Sequence, residues 1–198
     1  METTATAKDR VQLNLNFKVE KLIEEVNKLE INSFLYYNVI TLRGPAHLVD
    51  PNLPPPPAAE DFADGSWTDW KNTADLEKSP YLKEIVDFFD QHSKVTLVRL
   101  LRLEAGETVK EHTDPTLGLE VEKSVIRLTI PIISPEEVEF YLNQSIVHMK
   151  PGECWYLKLT DPHKVINKSS SERVNLTLDM RPNDWLKKLI AESEKEVG

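Results

Sequence analysis

Between Val95 and Asp179 the chain breaks into eight short runs rich in β-branched and aromatic residues, and this succession limits the fold most. The runs are Val95–Leu103, Thr108–His112, Ser124–Ile133, Val138–Leu142, Ile146–Met149, Cys154–Leu159, Lys164–Asn167 and Arg173–Asp179. Turn formers separate them: Ala105-Gly106, Ser134-Pro135, Asn143-Gln144, Pro151-Gly152 and Asn167-Lys168-Ser169. Strands this short and this close favour a sandwich or barrel over a parallel α/β sheet, whose crossovers need a dozen or more residues each.

Helical patterns flank the strands. Val19, Leu22, Ile23, Val26 and Leu29 recur at helical spacing within Lys18–Leu29, and Ser79-Pro80 opens a second helix through Ile85, Val86, Phe88 and Phe89. Asn183-Asp184 caps a closing helix with Trp185, Leu186, Leu189 and Ile190 on one face. A loose lead-in over residues 1–16, with a short strand at Val11–Leu15, and a strand at Phe34–Leu42 complete the pattern. Pro51 and Pro54 to Pro57 make Gly44–Trp70 an extended loop, read evenly as a lid or a passive linker. The expectation is one mainly β domain with flanking helices. Residues 1–94 would be N-terminal helices and loop packed on the core, 95–182 the strand-rich core, and 183–198 the closing helix.

A formal net charge of −9 disfavours nucleic-acid backbones and anionic membranes as partners, so any cation in a working site must be local. No apolar run is long enough to span a bilayer, and Met1–Arg10 lacks the apolar centre of a signal peptide, so a cytoplasmic protein is expected. The lone Cys154 reads as a small buried residue.

His112-Thr113-Asp114 follows directly on a strand, where positions i and i+2 point the same way and aim an imidazole and a carboxylate at one place. Of the five histidines, His47 and His92 fall outside the strand region. Spacing leaves both His148 and His163 open as a third ligand. Two imidazoles and one carboxylate leave half an octahedron free, which suits non-haem iron(II); a closed zinc site wants a fourth protein ligand. Arg127 stands in a strand otherwise made of Val125, Ile126, Leu128, Ile130 and Ile132, and a charge buried there needs a partner.

From about Val98 to Trp185 the chain resembles the aspartyl/asparaginyl β-hydroxylase family of iron(II)/2-oxoglutarate dioxygenases, the small bacterial type related to proline cis-4-hydroxylases. The segments that carry the likeness are Arg99–Gly106, Glu111–Asp114, Ile126–Ile132, Val138–Leu142, Pro151–Leu157, Pro162-His163, Asn167 and Glu172–Leu176. The resemblance implies a double-stranded β-helix, the cupin-like jelly roll, with His112, Asp114 and His163 as metal-binding catalytic residues. It implies that Arg173 holds the distal carboxylate of 2-oxoglutarate, a role suited to a bidentate guanidinium. It places Arg127 against the substrate carboxylate, the co-substrate or both, and Thr129 near the co-substrate. Arg102 is a weaker substrate contact of the same kind, with a structural role as its alternative, and Trp155 reads at least as readily as a core residue as a substrate contact. Many members have histidine where this chain has Thr129 and Asn175; a threonine hydroxyl can still donate a hydrogen bond.

The function that follows is hydroxylation of an unactivated carbon in a small amino acid, an amino-acid derivative or a peptidyl side chain. Iron(II) is the cofactor, with 2-oxoglutarate and dioxygen as co-substrates. Two other readings stand beside it. A cupin-type metal enzyme that does not use 2-oxoglutarate would present His-x-His and a glutamate rather than His-x-Asp and an arginine. A non-catalytic jelly-roll binding module would rest on the missing histidines at 129 and 175.

Overall fold

The alternating runs form two antiparallel sheets in a computed structural model that describes residues 8–29, 38–56 and 63–196. In chain order the elements are β1 (Arg10–Asn16), α1 (Val19–Lys28), β2 (Val39–Pro45), α2 (Ala46–Val49), β3 (Trp70–Asn72), α3 (Ala74–Glu77), α4 (Pro80–His92), β4 (Val95–Leu103), β5 (Thr108–His112), β6 (Ile126–Ile133), β7 (Val138–Leu142), β8 (Ser145–Val147), β9 (Glu153–Leu157), β10 (His163–Asn167), β11 (Arg173–Met180) and α5 (Asp184–Glu196). The large sheet has seven strands in the order β1-β9-β6-β11-β4-β2-β3, and the small sheet four in the order β5-β10-β7-β8. This is the expected mainly β, jelly-roll architecture with flanking helices.

The large sheet takes three strands, β1, β2 and β3, from the first 94 residues: β1 covers the short strand expected at Val11–Leu15, β2 the described end of the strand expected at Phe34–Leu42, and β3 begins where the stretch read as a loop ends. The Phe34–Tyr37 part of the expected second strand lies outside the described residues, as do residues 57–62 of the proline-rich stretch and residues 1–7 of the lead-in.

Strand β11 shows how the sequence divides labour between the sheet's two faces. Val174, Leu176, Leu178 and Met180 alternate with Arg173, Asn175, Thr177 and Asp179, and all eight residues are buried. The apolar set joins Val98 and Leu100 of β4 and Ile126, Leu128, Ile130 and Ile132 of β6 in the main core, beneath Leu22 and Val26 of α1, Phe89 of α4 and Leu186 and Ile190 of α5. Burying this many aliphatic side chains, each worth about 1.5–3 kcal/mol, is the main force fixing the helices to that face. The polar set therefore faces the small sheet. A second cluster, including Leu103, Phe140, Leu142, Leu157 and Val165, closes the space between the sheets.

Local chemistry sets the helix ends. Glu25 of α1 is buried, yet its Oε2 accepts from the Tyr81 and Leu82 amides at 3.1 and 3.4 Å, capping the start of α4. Asn183 caps α5 as expected, its Oδ1 accepting from the Leu186 amide at 2.9 Å. Pro131 sits inside β6, where a proline would break a regular ladder. It lies where the β6–β11 register shifts, and β9 pairs with β6 only at Leu128 and Thr129. Cys154 is buried in the main core, and burial pushes its thiol far up.

Gly152 opens β9 at φ +83°, and a Cβ there would lie 2.6 Å from the Phe17 carbonyl oxygen. The Phe17 amide donates to the Gly152 carbonyl at 2.8 Å, tying the end of β1 to this turn. Gly152→Ala is expected to cost about 1–3 kcal/mol, because both the backbone region and the contact are closed to a side chain. Urea unfolding measures this; a loss below about 0.5 kcal/mol, the range of neutral surface changes, would contradict it.

Candidate metal centre and its cavities

Antiparallel pairing of β10 with β5 sets His163 directly opposite His112. Asp114 follows two residues later, fixed by its amide donating to the Leu159 carbonyl at 2.8 Å. One ligand atom from each of His112, Asp114 and His163 lies within 4.8 Å of the others. His112 Nε2 is 4.0 Å from Asp114 Oδ1, and His163 Nε2 is 3.9 Å from Asp114 Oδ2. These separations are too long for hydrogen bonds.

Both imidazoles are held in the tautomer that a metal requires. His112 Nδ1 donates to the Lys110 carbonyl at 2.8 Å and His163 Nδ1 to the Asp161 carbonyl at 2.9 Å. A carbonyl can only accept, so each Nδ1 carries the proton and each Nε2 presents a lone pair. Burial holds the His163 imidazole below its ordinary range, which keeps it neutral and able to ligate. His163 is 5% exposed and stacked on Phe140, whereas His112 lies at the solvent-open side. The donor set and its tautomers fit a divalent metal with open coordination positions.

Among the other histidines, His148 is exposed, one residue beyond β8 rather than inside a strand, and is not in the cluster. His47 sits edge-on to Trp67, and His92 stacks on Trp185.

Two cavities meet at the triad. The narrower one, about 160 Å³, lies between the sheets and is lined by His112, Asp114, His163, Thr129, Arg173 and Asn175, among others. Arg173 is 7% exposed, and burial pushes its guanidinium down to about 10. With the Asn175 amide turned so that its oxygen faces Arg173, Oδ1 accepts from both Nη1 (3.1 Å) and Nη2, while the Asn175 nitrogen donates to the Val174 carbonyl. No carboxylate among the described residues pairs with Arg173. Asn167 holds the turn that delivers it, its Nδ2 donating to the carbonyls of Leu103, Glu104 and Ser171.

The other cavity, about 440 Å³ and open to solvent, is lined by Arg99, Arg127, Asp114, Asp179, Trp67 and Trp70, among others. Arg127 has the partner that its apolar strand demanded, which sequence reasoning missed. Its Nε and Nη2 donate to the two Asp179 oxygens at 2.7 and 2.9 Å, and Nη1 lies 3.5 Å from Asp114 Oδ2. Burial works against that charge, but Asp179 holds the guanidinium above its ordinary value. The signal was present: Asp179 is an acid on the polar face of β11, and the register sets it opposite Arg127.

Arg102 lines the narrower cavity with its guanidinium engaged by Glu172 and, at 3.4 Å, by Glu104. Trp155, a candidate substrate contact with a core role as its alternative, takes the core role. It is not among the residues lining either cavity; it packs against the second core cluster and donates from Nε1 to Glu153 at 2.9 Å. The alternation of β9 places buried Cys154 and Tyr156 on the other face.

A jelly roll with two histidines and an aspartate at the mouth between its sheets defines a class of metal-centred barrel, and comparison with known proteins narrows it. The aspartyl/asparaginyl β-hydroxylase family model matches residues 62–182. The chain belongs to that family. It is 28% identical over 128 residues to an L-proline cis-3-hydroxylase of a Streptomyces species, and 27% identical over 123 residues to the L-proline cis-4-hydroxylase of Rhizobium meliloti. Each alignment takes in 62% of this chain but only 43% of the relative, so the chain matches less than half the length of either. Among solved structures, the viral collagen prolyl hydroxylase of Paramecium bursaria Chlorella virus-1, in its 2OG complex, superposes with a TM-score of 0.54 at 13% identity, covering 89% of this chain and 97% of that one. A non-haem monooxygenase in a nickel complex gives 0.50 at 12% identity, covering 87% and 73%. At these identities the likeness is one of fold. No helix among the described residues is long and apolar enough to cross a membrane.

Proposed function

We propose that the chain is an iron(II)- and 2-oxoglutarate-dependent oxygenase that hydroxylates an unactivated carbon of a small amino-acid-like substrate. The observation that carries this reading is Arg173. A buried guanidinium without a carboxylate partner is costly, and the cost is offset when an anionic ligand enters the same cavity as the triad. A dicarboxylate with a keto group is such a ligand. One end makes a bidentate pair with Arg173, and the other reaches His112, Asp114 and His163.

In this reading the two Nε2 lone pairs and the Asp114 carboxylate hold iron(II). Asn175 orients the Arg173 guanidinium, and Thr129 and Thr177, opposite each other across β6 and β11, offer hydroxyls inside the same cavity. The bound iron, with dioxygen, supplies the oxidation: 2-oxoglutarate becomes succinate and carbon dioxide while one oxygen atom enters a carbon–hydrogen bond of the substrate. The protein's own part is to orient both ligands and exclude water. The relatives' names, both L-proline hydroxylases, support an amino-acid substrate. A cupin-type enzyme without 2-oxoglutarate has no use for the buried Arg173, and a non-catalytic module has none for two imidazoles held with Nε2 free.

The test supplies iron(II), ascorbate and 2-oxoglutarate and measures succinate against an amino-acid panel, with His112→Ala and Arg173→Ala beside the wild type. Substrate-stimulated succinate that both variants lose is the expected result. Tight metal binding without 2-oxoglutarate binding or turnover would sink the reading.

A further inference from the structure

Four charged side chains line the open cavity beside the triad: Arg99, Arg127, Asp114 and Asp179. Only Asp114 belongs to the candidate metal ligands. An arginine beside a free carboxylate ordinarily closes on it through two parallel hydrogen bonds of about 2.7–2.9 Å. Arg127 does not close on Asp114. Its Nη1 stands 3.5 Å from Asp114 Oδ2, and no hydrogen bond joins the two among the described residues. The forked edge of the guanidinium, Nε with Nη2, is turned away and donates to both oxygens of Asp179 at 2.7 and 2.9 Å. Asp179 is itself firmly placed. The β6–β11 register sets it opposite Arg127, it is 5% exposed, and Thr96 Oγ1 donates to its backbone carbonyl at 3.1 Å. Arg99, half-buried on β4, is favoured by Asp179 and Asp114 through space, but no ion pair involves it among the described residues, so Asp179 is left to Arg127.

We propose that Asp179 is a positioning residue of the metal centre: by gripping the fork of Arg127 it holds that guanidinium off Asp114 and keeps the Asp114 carboxylate free to ligate. This rests on the iron-binding half of the oxygenase reading and deepens it. A metal ion and a guanidinium compete for the same carboxylate lone pairs, and well under an ångström of movement would bring Nη1 into hydrogen-bond contact with Asp114. Such a pair would be strong at this buried arginine, because low polarity strengthens the attraction. Asp179 removes the drive for it. With both oxygens committed to Nε and Nη2, it supplies the charge that Arg127 needs and fixes the plane of the guanidinium. Asp114 keeps its own backbone anchor to the Leu159 carbonyl, and its two oxygens stay 4.0 and 3.9 Å from the imidazole nitrogens of His112 and His163. Asp179 touches no metal ligand in this arrangement; it acts through Arg127.

The experiment has two arms. The first titrates iron(II), without oxygen, into wild type, Asp179→Asn and the double variant Asp179→Asn/Arg127→Met. Asp179→Asn should weaken iron binding by about 10–100-fold, as for other groups that orient metal ligands. The double variant should return to within about five-fold of wild type, because the competing guanidinium is gone. The second arm needs no metal. It measures the drop in thermal midpoint caused by Asp114→Asn in the metal-free wild type and in metal-free Asp179→Asn. The drop should be larger in Asp179→Asn by about 3 °C or more, since there Arg127 has closed on Asp114 and the substitution breaks a pair that wild type does not form. A purely structural Asp179 would lower the midpoint and leave iron affinity unchanged, and that result would overturn the proposal. A double variant that binds no better than Asp179→Asn, or an equal drop in both backgrounds, would also overturn it. Should Asp179→Asn fail to fold, Asp179→Glu, which keeps the charge but displaces the grip by one methylene, takes its place in both arms. A wild type that binds no iron would strike the oxygenase reading, and the metal-free arm would still decide whether Asp179 holds Arg127 off Asp114.

Discussion

Arg173→Met is expected to weaken 2-oxoglutarate binding by about 3–4 kcal/mol, on the order of a hundred- to a thousand-fold, while raising the stability of the ligand-free protein. The first effect follows from losing a bidentate, charge-assisted pair to a buried guanidinium. The second follows from the same burial. Arg173 is 7% exposed and meets only the Asn175 amide, so the ligand-free fold carries a charge it cannot match. An unbranched apolar side chain of similar length removes that cost, and replacing poorly matched buried charge by apolar groups often stabilises by about 1–4 kcal/mol. Thermal unfolding without ligand and calorimetric titration with 2-oxoglutarate check the two halves. A variant that is both less stable and unchanged in affinity would mean that Arg173 is a structural cation with a partner of its own.

The triad should separate in the same way. His112→Ala and His163→Ala are both expected to lower affinity for a divalent metal by more than about 100-fold, since even the groups that orient metal ligands contribute 10–100-fold. Their effects on folding should differ. His112 lies at the exposed side and its removal should change stability by no more than about 0.5 kcal/mol. His163 is buried against Phe140 and bonded to the Asp161 carbonyl, so His163→Ala should cost about 1–3 kcal/mol through a cavity and an unmet acceptor. His112→Ala is thus the cleaner probe of metal binding, and exposed His148→Ala the control that should leave it intact. Metal affinity retained in His112→Ala with unfolding unchanged would remove His112 from the site.

Most strands were legible because they alternate or stay apolar over their length, and β4, β5 and β7 have the boundaries that their residues suggest; β5, wholly exposed, was marked by the turn formers before it. The short elements between Pro45 and Lys78 were not. β3, α2 and α3 are three or four residues long, too short for any periodicity to rise above the surrounding turn formers. The pairing of β1 with β9 was also hidden, since it joins residues as far apart as Arg10 and Leu157 and leaves no local trace.

The triad was readable at His112 and Asp114 from strand parity, whereas His163 needed the family likeness to prevail over His148. The arginines show the limit best. Arg127 in an apolar strand announced that a carboxylate was missing, but only the β6–β11 register identifies it as Asp179. Arg99 looked like one more residue of a motif; that its Nε has no hydrogen-bond partner among the described residues is a property of three dimensions. Trp155 lies on the inner face, opposite Thr129 and packed on the cluster between the sheets, yet outside the cavity lining: strand parity gives the face and not whether a side chain reaches the cavity.

The central claim is that one site holds iron(II) through His112, Asp114 and His163 and that 2-oxoglutarate binds beside it through Arg173. Anaerobic calorimetry tests this most directly, titrating iron(II) into the metal-free chain and then 2-oxoglutarate into the loaded one. The account predicts a single iron site that disappears in His112→Ala, and 2-oxoglutarate binding that requires both the iron and Arg173. Iron that binds the variant as tightly as the wild type, or 2-oxoglutarate that binds equally well without metal, would contradict it.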